Sequence, residues 1–373
     1  MKPKVCHIST VHSLSDNRIF HKECKSLVAA GFNVSLVITH NKHETIDGVK
    51  IIPLKEHKGR LARMTLGTLQ ALRLALKQKA DIYHYHDPEL MLAGFILRWF
   101  FFKKVVFDIH ESIRRQILYK GWIPKPLRPI LSFVYRIMEK VLTVGQRLII
   151  VIGHYADDYG HKACVIHNYP RLTNEFAQAV SKADPPLLIY VGDVSEIRGA
   201  TTYIDMAAVL KKEGYRFQLK IIGHYYDQDY LDFLNEKIAQ NGLSECVNLA
   251  GKMDNPQAME QVAKASIGLC LLHPVPNYKV SLSTKILEYM MFGVPVVCSD
   301  FECWRRYVAD EGSGMMVDPL DLTQVVKACK AILDDPEKAA QMGRAGRLAI
   351  LHKYNWDSEF QKLLTCYQSM CQS

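Results

Sequence analysis

The stretch SLSTKILEYMMFGVPVVCSD, residues 281–300, predicts a helix that stops abruptly and is followed by a buried strand. Ser283 or Thr284 can cap the start of the helix, and apolar pairs recur along it four residues apart. Gly293 stands where a left-handed helix end is favoured, and the apolar run at 294–298 is typical of a parallel strand. A helix that leads into a buried parallel strand indicates an α/β fold.

Four polar residues of this stretch, Ser281, Thr284, Lys285 and Glu288, are spaced by three and four and therefore share one stripe of the helix. Unbonded amides and hydroxyls at the helix start can hold a diphosphate, and Glu288, one turn further on, can accept both hydroxyls of a ribose. A solvent-facing charge pair between Lys285 and Glu288 explains the same residues equally well. The stretch alone supports both interpretations.

The composition predicts a globular protein. The chain has 373 residues, of which 49% are hydrophobic and 23% charged, and this length leaves room for two domains with full cores. Its ten cysteines include no C-x-x-C pair and lie mostly in apolar runs, as reduced, buried thiols do. The N-terminus leads directly into a strand-like run without a signal-peptide pattern, so we expect a cytoplasmic protein.

The net charge of +9 is unevenly distributed. Residues 1–172 contain 27 Lys and Arg against 13 Asp and Glu, whereas the rest of the chain is acidic. Between residues 98 and 147 the basic residues are mixed with aromatic ones such as Trp99 and Trp122, which favours an anionic membrane surface or a nucleic acid. No nucleic-acid-binding motif is present, so we expect no nucleic acid partner. The two alternatives are peripheral attachment to the inner face of the cell membrane and a merely solubilising basic face.

Strand-like runs alternate with amphipathic helical stretches along almost the whole chain, which predicts parallel sheets with helices on both faces. A polar, proline-bounded break at 168–186 predicts two Rossmann-like, doubly wound domains, 1–172 and 173–352, and a C-terminal helix, 353–373, that packs back toward the first. Because ligands bind at the carboxyl edge of such sheets, we expect the domains to face each other across a cleft. The predicted strands lie near residues 5–9, 34–38, 51–53, 82–86, 105–109, 148–152, 165–167, 187–191, 219–222, 247–250, 268–272, 296–298 and 315–317.

The segment VGDVSEIRGA, residues 191–200, connects a predicted strand to a helix in the second domain. Gly192 ends the strand, Gly199 allows the backbone to approach a ligand, and Arg198 offers a planar fork for phosphate. The alternative is an ordinary loop with a surface arginine, but this loop lies on the same sheet edge as Lys285. No G-x-G-x-x-G motif follows the first strand of either domain, which disfavours a nicotinamide dehydrogenase.

In the first domain, the runs at 82–92 and 105–112 each end a strand with histidine beside carboxylates. Such clusters favour general acid–base chemistry or neutralisation of an oxyanion. A single histidine at a strand end is more often a structural hydrogen-bond partner, but two adjacent strand ends that each carry one favour function. No histidine pair four residues apart on a helix accompanies them, so we expect no metal site. The candidate side chains are His86, Asp87, Glu89, His110 and Glu111.

The segment SDNRIFHKECKSLVAAGF, residues 15–32, opens the first helix of the first domain. Ser15 or Asp16 can cap this helix, and Arg18 shares one of its faces with Lys22. A functional role is expected because the loop after the first strand borders the predicted cleft. A capped, solvent-facing helix is an equally good interpretation.

Segments from nearly the whole chain together resemble the family 4 glycosyltransferases, which are retaining enzymes of the GT-B fold. Within that family the likeness is closest to bacterial enzymes that build capsule, exopolysaccharide or cell-wall glycans on lipid carriers. The segments that carry the resemblance are SDNRIFHKE, HDPEL, FDIHE, VIHNYP, YVGDVSEIRG, KIIG, LAGK and STKILEYMMFGVPVVCSD.

The resemblance implies that the second domain binds a nucleotide-diphosphate sugar. Arg198 and Lys285 would then neutralise the diphosphate, and Glu288 would hold the ribose. His110 matches the family's histidine near the reacting carbon. In such enzymes the acceptor attacks from the face that the diphosphate leaves, so catalysis rests on positioning and on neutralising the leaving group. No metal or other cofactor is needed for this reaction.

Three positions depart from the family pattern. The first of two glutamates that usually stand eight residues apart is replaced by Val280, and Asn277 or Lys279 is a candidate to contact the donor sugar instead. Where the family commonly has an arginine after the strand glycine, this chain has Asp193. This difference leaves Arg198 without that partner. In place of the usual glycine-rich first loop, this chain has TVHSLSDN, residues 10–17. Contacts made by that loop therefore cannot be transferred from the family.

We therefore expect a hexosyl- or N-acetylhexosaminyltransferase that acts with retention on a lipid-linked or glycan acceptor in polysaccharide biosynthesis. The alternatives are a sugar-nucleotide epimerase of the same fold and a non-catalytic sugar-nucleotide-binding partner in a polysaccharide assembly. The implied catalytic residues are His110 and Glu288. The implied donor-binding residues are Gly192, Arg198, Gly199, Gly223, Lys252, Asn277, Ser283, Thr284, Lys285 and Glu288. The implied acceptor-binding residues are Ser15, Asp16, Arg18, His86, Asp87, Glu89 and Glu111.

Overall fold

The computed structural model describes residues 3–151, 153, 156–160, 163–172 and 181–372, and the chain divides into two compact units. Unit 1 comprises residues 1–168 and 356–373, and unit 2 comprises residues 169–355. Part of the predicted linker, 173–180, lies outside the described residues, as does residue 152 at the end of a predicted strand.

Unit 1 is built on an eight-stranded sheet whose strands in chain order are β1 (Lys4–Ile8), β2 (Asn33–Thr39), β3 (Glu44–Ile46), β4 (Val49–Leu54), β5 (Ile82–Tyr85), β6 (Lys104–Ile109), β7 (Arg147–Ile150) and β8 (Ala163–Val165). Their order across the sheet is β3-β4-β2-β1-β5-β6-β7-β8, and all neighbours are parallel except β3 and β4. The central strands are buried on both faces, as their nearly continuous apolar runs predict. The helices are a π-helical segment (Asn17–Cys24) that continues into α1 (Lys25–Ala29), α2 (Arg60–Ala62), a π-helical segment (Arg63–Gly67), α3 (Thr68–Lys77), a 3-10 turn (Pro88–Leu90), α4 (Met91–Trp99), α5 (Ile113–Ile117), α6 (Leu127–Leu142) and α7 (Ala156–Tyr159).

Two strands of unit 1 differ from the prediction. The strand β3 was not predicted, because its short sequence is half-exposed and lacks an apolar run. The strand β8 lies at 163–165 rather than at 165–167. The reason is that His167 has already left the sheet and donates its backbone N–H to a carboxylate oxygen of Glu359, 2.8 Å away.

The C-terminal helix α16 (Trp356–Gln372) belongs to unit 1. Trp356, Leu363 and Tyr367 are fully or almost fully buried in the same apolar core as the first strands. The indole N–H of Trp356 also donates to Ser26 Oγ, 2.9 Å away. The last segment of the chain therefore completes the core of the unit in which the chain begins.

Unit 2 is built on a six-stranded, all-parallel sheet whose strands are β9 (Leu187–Val191), β10 (Gln218–Ile222), β11 (Val247–Gly251), β12 (Ile267–Cys270), β13 (Val296–Ser299) and β14 (Gly314–Val317). Their order is β11-β10-β9-β12-β13-β14, so the direction of winding reverses between β9 and β12. In such sheets the crevice at this reversal is where ligands bind. The helices are a 3-10 turn (Glu196–Arg198), α8 (Ala200–Lys212), α9 (Gln228–Gln240), α10 (Asn255–Lys264), α11 (Pro276–Val280), α12 (Thr284–Met291), α13 (Glu302–Val308), α14 (Leu322–Leu333) and α15 (Pro336–His352).

One buried aromatic side chain fixes the helix α12 to the two strands, β9 and β12, between which the winding reverses. The hydroxyl of Tyr289 accepts a hydrogen bond from the N–H of Val191 in β9 and donates one to the carbonyl of Leu269 in β12, both at 3.2 Å. Its ring lies so close to Gly268 that a Cβ there would overlap it. The helix ends at Gly293 with φ +63°, as its sequence predicts. The start of α12 is thereby fixed at the carboxyl edge of both strands.

Candidate functional site

Gly192 and Lys285 are in direct contact where β9 ends. Gly192 has φ +146°, and a Cβ at this position would overlap the end of the Lys285 side chain. The ammonium group of Lys285 also lies 5.6 Å from the centre of the Tyr190 ring. The glycine therefore leaves the space through which Lys285 reaches the carboxyl edge of the sheet.

Arg198 provides a second cation at the same edge. Its Nη2 lies 3.3 Å from Asp193 Oδ2, and its guanidinium carbon lies 5.8 Å from the centre of the Tyr278 ring. Asp193, which was expected to deprive Arg198 of a partner, is thus itself the partner of Arg198. The next residue, Gly199, has φ +83°, and a Cβ there would overlap the backbone carbonyl of Leu271.

Both cations influence one buried thiol, that of Cys270 at the end of β12. Burial raises the pKa of this thiol, and the nearby charges of Lys285 and Arg198 lower it in opposition. Ser283 also lies here, and its Oγ is 3.4 Å from Cys270 Sγ. Because both cations act on a single point, their charges would add on an anion bound beside it.

The N-terminus of α12 has free hydrogen-bonding capacity. Ser283 occupies the N-cap position, but its side chain makes no capping hydrogen bond to the helix. Thr284 is exposed, and Glu288 is half-buried one turn further along. Backbone amides without a cap, two hydroxyls and two nearby cations are the groups that hold a diphosphate in proteins.

Two more glycines extend this edge of the sheet. A Cβ on Gly223 would overlap the carbonyl oxygen of Gly192, so the turns after β9 and β10 touch through their backbones. The N–H of Gly223 donates to the carbonyl of Gly251, 2.9 Å away, and Gly251 has φ +68°. Lys252 follows and is exposed. Asn277, in α11, is exposed, and its backbone carbonyl accepts a hydrogen bond from Ser281 Oγ at 2.8 Å.

In unit 1, His110 follows β6 and is held by a buried carboxylate. Its Nε2 lies 3.1 Å from Asp108 Oδ2, and about a fifth of its side chain is exposed. Arg18 donates to both carboxylate oxygens of Asp108, at 2.8 and 3.1 Å. Burial alone would raise the pKa of Asp108, but the charge of Arg18 holds it well below its usual range. An ionised Asp108 therefore fixes the orientation of a partly exposed imidazole.

Asp16 and His12 form a second carboxylate–histidine pair. Asp16 is the N-cap of the first helical segment, accepting from the backbone N–H of Arg18 and of Ile19. Its other oxygen lies 2.8 Å from His12 Nδ1, and this hydrogen bond raises the pKa of His12. Ser15 is exposed, with its hydroxyl 2.7 Å from that of Ser13.

Asp87 and Glu89 organise the loop after β1. Asp87 Oδ2 accepts from Ser9 Oγ at 2.9 Å and from the N–H of Thr10 at 2.6 Å. Glu89 accepts from Thr10 Oγ1 at 2.6 Å and from Arg63 Nε at 3.0 Å. The same loop lines a cavity of about 220 Å³ together with His57 and Arg63, among other residues. This cavity is one candidate for a sugar or another polar group.

Three candidate acceptor-binding residues are buried. Only 3% of Arg18, 2% of His86 and 2% of Asp87 is exposed. Arg18 neutralises buried carboxylates, His86 packs among other histidines, and Asp87 is covered by the loop after β1 that it hydrogen-bonds. The expectation that His86 and Asp87 are accessible to an acceptor was wrong, and direct contact with an acceptor does not follow from the position of Arg18 either. Glu111 is exposed and accepts from the side-chain amide of Gln116.

A buried cluster in unit 1 was not predicted from the sequence. It consists of His7, Glu23, His84 and His86, which each offer one atom within 4.8 Å of the others. The signal was present in the sequence, since His84 and His86 have the spacing of residues on the same face of a strand. It was overlooked because only helical spacing was considered for a pair of metal-ligating histidines.

Two family models match the chain. The model described as Glycosyltransferase Family 4 matches residues 17–169, and the model described as Glycosyl transferases group 1 matches residues 173–349. Together they cover most of both units.

Curated relatives match with low identity. The alpha-D-kanosaminyltransferase of Streptomyces kanamyceticus is 27% identical over 187 residues, which are 50% of this chain and 46% of that protein. The glycogen synthase of Mycobacterium tuberculosis is 21% identical over 283 residues, which are 75% of this chain and 66% of that protein. The matched regions thus span about half to two thirds of the length of these relatives.

Solved structures match over the whole chain. Sucrose-phosphate synthase from Thermosynechococcus elongatus has a TM-score of 0.74 at 17% identity, covering 100% of both chains. Anabaena Alr3699/HepE in complex with UDP has a TM-score of 0.69 at 13% identity, covering 99% of this chain and 100% of that one. At these identities the likeness establishes a shared fold.

Proposed function

The chain belongs to the glycosyltransferase families whose models it matches, family 4 and group 1, and we propose that it transfers a sugar from a nucleotide-diphosphate sugar to a lipid-linked or glycan acceptor. Its two parallel-sheet α/β units and its structural neighbours identify the GT-B fold. The observation that carries the proposal is the placement of Arg198 and Lys285 at one edge of the sheet, beside the uncapped start of α12.

The donor binds in unit 2, at the reversal between β9 and β12. Arg198 and Lys285 neutralise the diphosphate, and the amides and hydroxyls of Ser283 and Thr284 complete its hydrogen bonds. Glu288 holds the ribose, while the backbone turns after β10 and β11 flank the base. The UDP complex of the Anabaena relative supports a uridine diphosphate donor as the first candidate.

Transfer proceeds with retention and relies on the protein groups alone. The bond between the sugar and the diphosphate breaks as negative charge accumulates on the leaving group, so cations fixed beforehand at that position stabilise the transition state. The two cations are already held by ion pairing and by aromatic rings, which reduces the cost of orienting them. The role expected for His110 beside the reacting carbon stays a prediction, and Asp108 would keep its ring oriented for it.

The acceptor is carried by a membrane, and α6 is the surface that reaches it. This helix is inverted relative to an ordinary surface helix, since Glu139 is buried and most of the apolar side chains point outward. The exposed apolar residues are spaced by three and four, and Arg136 and Lys140 are exposed among them. No helix in the described part of the chain has the length and hydropathy of a membrane-spanning segment. The exposed apolar residues of α6 are Leu127, Ile130, Leu131, Phe133, Val134, Ile137, Met138 and Val141.

Two arginines of the basic and aromatic stretch 98–147 are engaged in ion pairs. Arg114 and Arg115 both form ion pairs with Asp158 within unit 1. Trp122, by contrast, is 72% exposed just before α6. The membrane-binding surface is therefore assigned to α6 and Trp122 rather than to the arginine pair.

The experiment that tests the proposal starts from the donor. UDP-, GDP- and dTDP-sugars are compared by thermal shift, because a ligand that binds only the folded protein raises its melting temperature in proportion to occupancy. The best binder is then incubated with a membrane lipid extract, and release of the nucleoside diphosphate is measured. Sugar transfer to a lipid-soluble product supports the proposal, and an epimerised free sugar nucleotide would instead identify an epimerase.

A further inference from the structure

Three histidines and one glutamate meet in the core of unit 1. His7 in β1 and His84 in β5 are register partners in neighbouring parallel strands, so their side chains leave the sheet on the same face. His86 follows two residues later, and Glu23 comes from the helical segment that covers this face. All four side chains have no exposed surface.

The distances among these side chains are those of groups around a shared centre. Glu23 Oε2 lies 3.7 Å from His7 Nδ1, 3.7 Å from His84 Nδ1 and 3.9 Å from His86 Nε2. His7 Nδ1 and His86 Nε2 are 3.0 Å apart. A carboxylate that hydrogen-bonded an imidazole would lie within about 3 Å of it, yet Oε2 has no hydrogen-bond partner among the described residues.

We infer that His7, Glu23, His84 and His86 form a binding site for a divalent transition-metal ion, with Zn²⁺ as the best fit. Zinc bonds of about 2.0–2.1 Å place neighbouring tetrahedral ligands roughly 3.4 Å apart, which is close to the separations in this cluster. Three imidazole nitrogens and one carboxylate oxygen suit zinc better than magnesium or calcium, which prefer oxygen ligands. Four protein ligands leave no open position, so the site is structural.

The charges around the cluster also favour a cation. Two buried carboxylates, Glu23 and Asp108, face one guanidinium, that of Arg18, whose Nε lies 3.1 Å from Glu23 Oε1. Keeping both carboxylates ionised in the core would need more positive charge than this one guanidinium supplies. A divalent ion at the centre of the four ligands compensates this charge without exposing it to water.

The metal would be connected to His110 through one carboxylate. Asp108 Oδ2 lies 3.3 Å from His86 Nδ1 and 3.1 Å from His110 Nε2. Carboxylates commonly accept the second N–H of a metal-bound imidazole and thereby fix its orientation. The metal thus holds β1, β5 and the first helical segment together, and it positions His110 without entering the transfer reaction.

Two existing hydrogen bonds must be exchanged when the metal binds, the one between His7 Nδ1 and His86 Nε2 and one at His84. His84 Nδ1 lies 2.7 Å from the hydroxyl of Tyr367 in α16, and a nitrogen that ligates a metal cannot accept that bond as well. The tyrosine therefore competes with the ion for one ligand. Tyr367→Phe removes this competitor and keeps the apolar ring.

The test measures zinc in the full chain, expressed with zinc and then dialysed against metal-free buffer. Elemental analysis is expected to find about one zinc per chain, and Glu23→Gln, which preserves volume, is expected to lose most of it. The matched control is His40→Asn, because His40 pairs with Glu44 at a site outside the cluster and its loss should leave the zinc content unchanged.

The second variant separates metal binding from misfolding. Tyr367→Phe is expected to keep zinc at equal or higher affinity, and its Co²⁺ form should show the intense visible absorption of tetrahedral coordination. A wild-type chain without stoichiometric zinc that also fails to bind added Zn²⁺ or Co²⁺ overturns the inference. A Glu23→Gln variant that folds and retains the wild-type zinc content overturns it as well.

Discussion

Lys285 extends across Gly192, so that any side chain at position 192 would occupy the space of the lysine. The contact joins the end of β9 to the first turn of α12, the two elements that meet where the sheet of unit 2 reverses its winding. The path of the cation is therefore set by the absence of a side chain on a residue 93 positions earlier in the chain.

Gly192→Ala should weaken binding of the donor because the new methyl group displaces Lys285. We expect a loss of affinity of tenfold or more, about 1.4 kcal/mol, measured by titration calorimetry with the donor nucleotide. Gly214→Ala is the matched control, since Gly214 also has positive φ but no atom lies within 4 Å of the added Cβ. Equal affinities for the two variants would contradict the role of this contact.

Lys285→Ala and Arg198→Ala should each leave diphosphate charge unneutralised. A hydrogen bond to a charged group contributes about 1.5–3 kcal/mol, so each variant should bind donor roughly 10- to 100-fold more weakly. The control is Lys212→Ala, at the far end of α8. If calorimetry finds unchanged affinity for the donor, Lys285 and Arg198 do not bind its diphosphate.

The pair of His12 and Asp16 should make the stability of unit 1 depend on pH. The hydrogen bond to Asp16 raises the pKa of His12, and the carboxylate of Asp87 (3.5 Å from Nε2) and the ring of His110 also face it. A raised pKa means that the stabilisation is complete below about pH 6.5 and is lost as the pH rises through the folded-state value. Because His12 is partly exposed, we expect an effect of about 1 kcal/mol or less.

The measurement for this pair is urea unfolding of the wild type and of His12→Gln at pH 6 and pH 8. The wild type should be more stable than the variant at pH 6, and the difference should shrink at pH 8. If the stability difference between the wild type and the variant grows with pH, the proposed stabilisation by protonated His12 is contradicted.

Ile137→Asp should weaken binding to anionic liposomes, because Ile137 is exposed in the middle of the apolar face of α6. We expect a loss of several-fold in a sedimentation assay, and wild-type binding should also decrease with added salt. Leu348→Asp, on an exposed position of α15 in unit 2, is the matched control. If neither variant differs from the wild type, the face has another role.

The fold was predictable because the alternation of strands and helices produces a recognisable pattern of apolar residues along the chain. The GT-B expectation was confirmed. The edge strand β3 was missed because a short, half-exposed strand carries no such periodicity. Its position depends on pairing with β4, which a local pattern does not encode.

Burial was the harder quantity to predict. Arg18 and His86 were expected at the surface because charged and polar residues near strand ends are usually exposed, yet both are enclosed by partners distant in sequence. Asp193 was interpreted as a lost contact, whereas the structure pairs it with Arg198. In both cases the residue types were visible, but their partners depend on the three-dimensional arrangement.

Whether the chain is a transferase is decided by the release of nucleoside diphosphate from the best-binding sugar nucleotide, measured with and without membrane lipid extract. We predict release only when the extract is present, with the sugar recovered in the lipid phase and the release lost in Lys285→Ala. Tight donor binding without release under any of these conditions would contradict the proposed transfer and identify a non-catalytic binding protein.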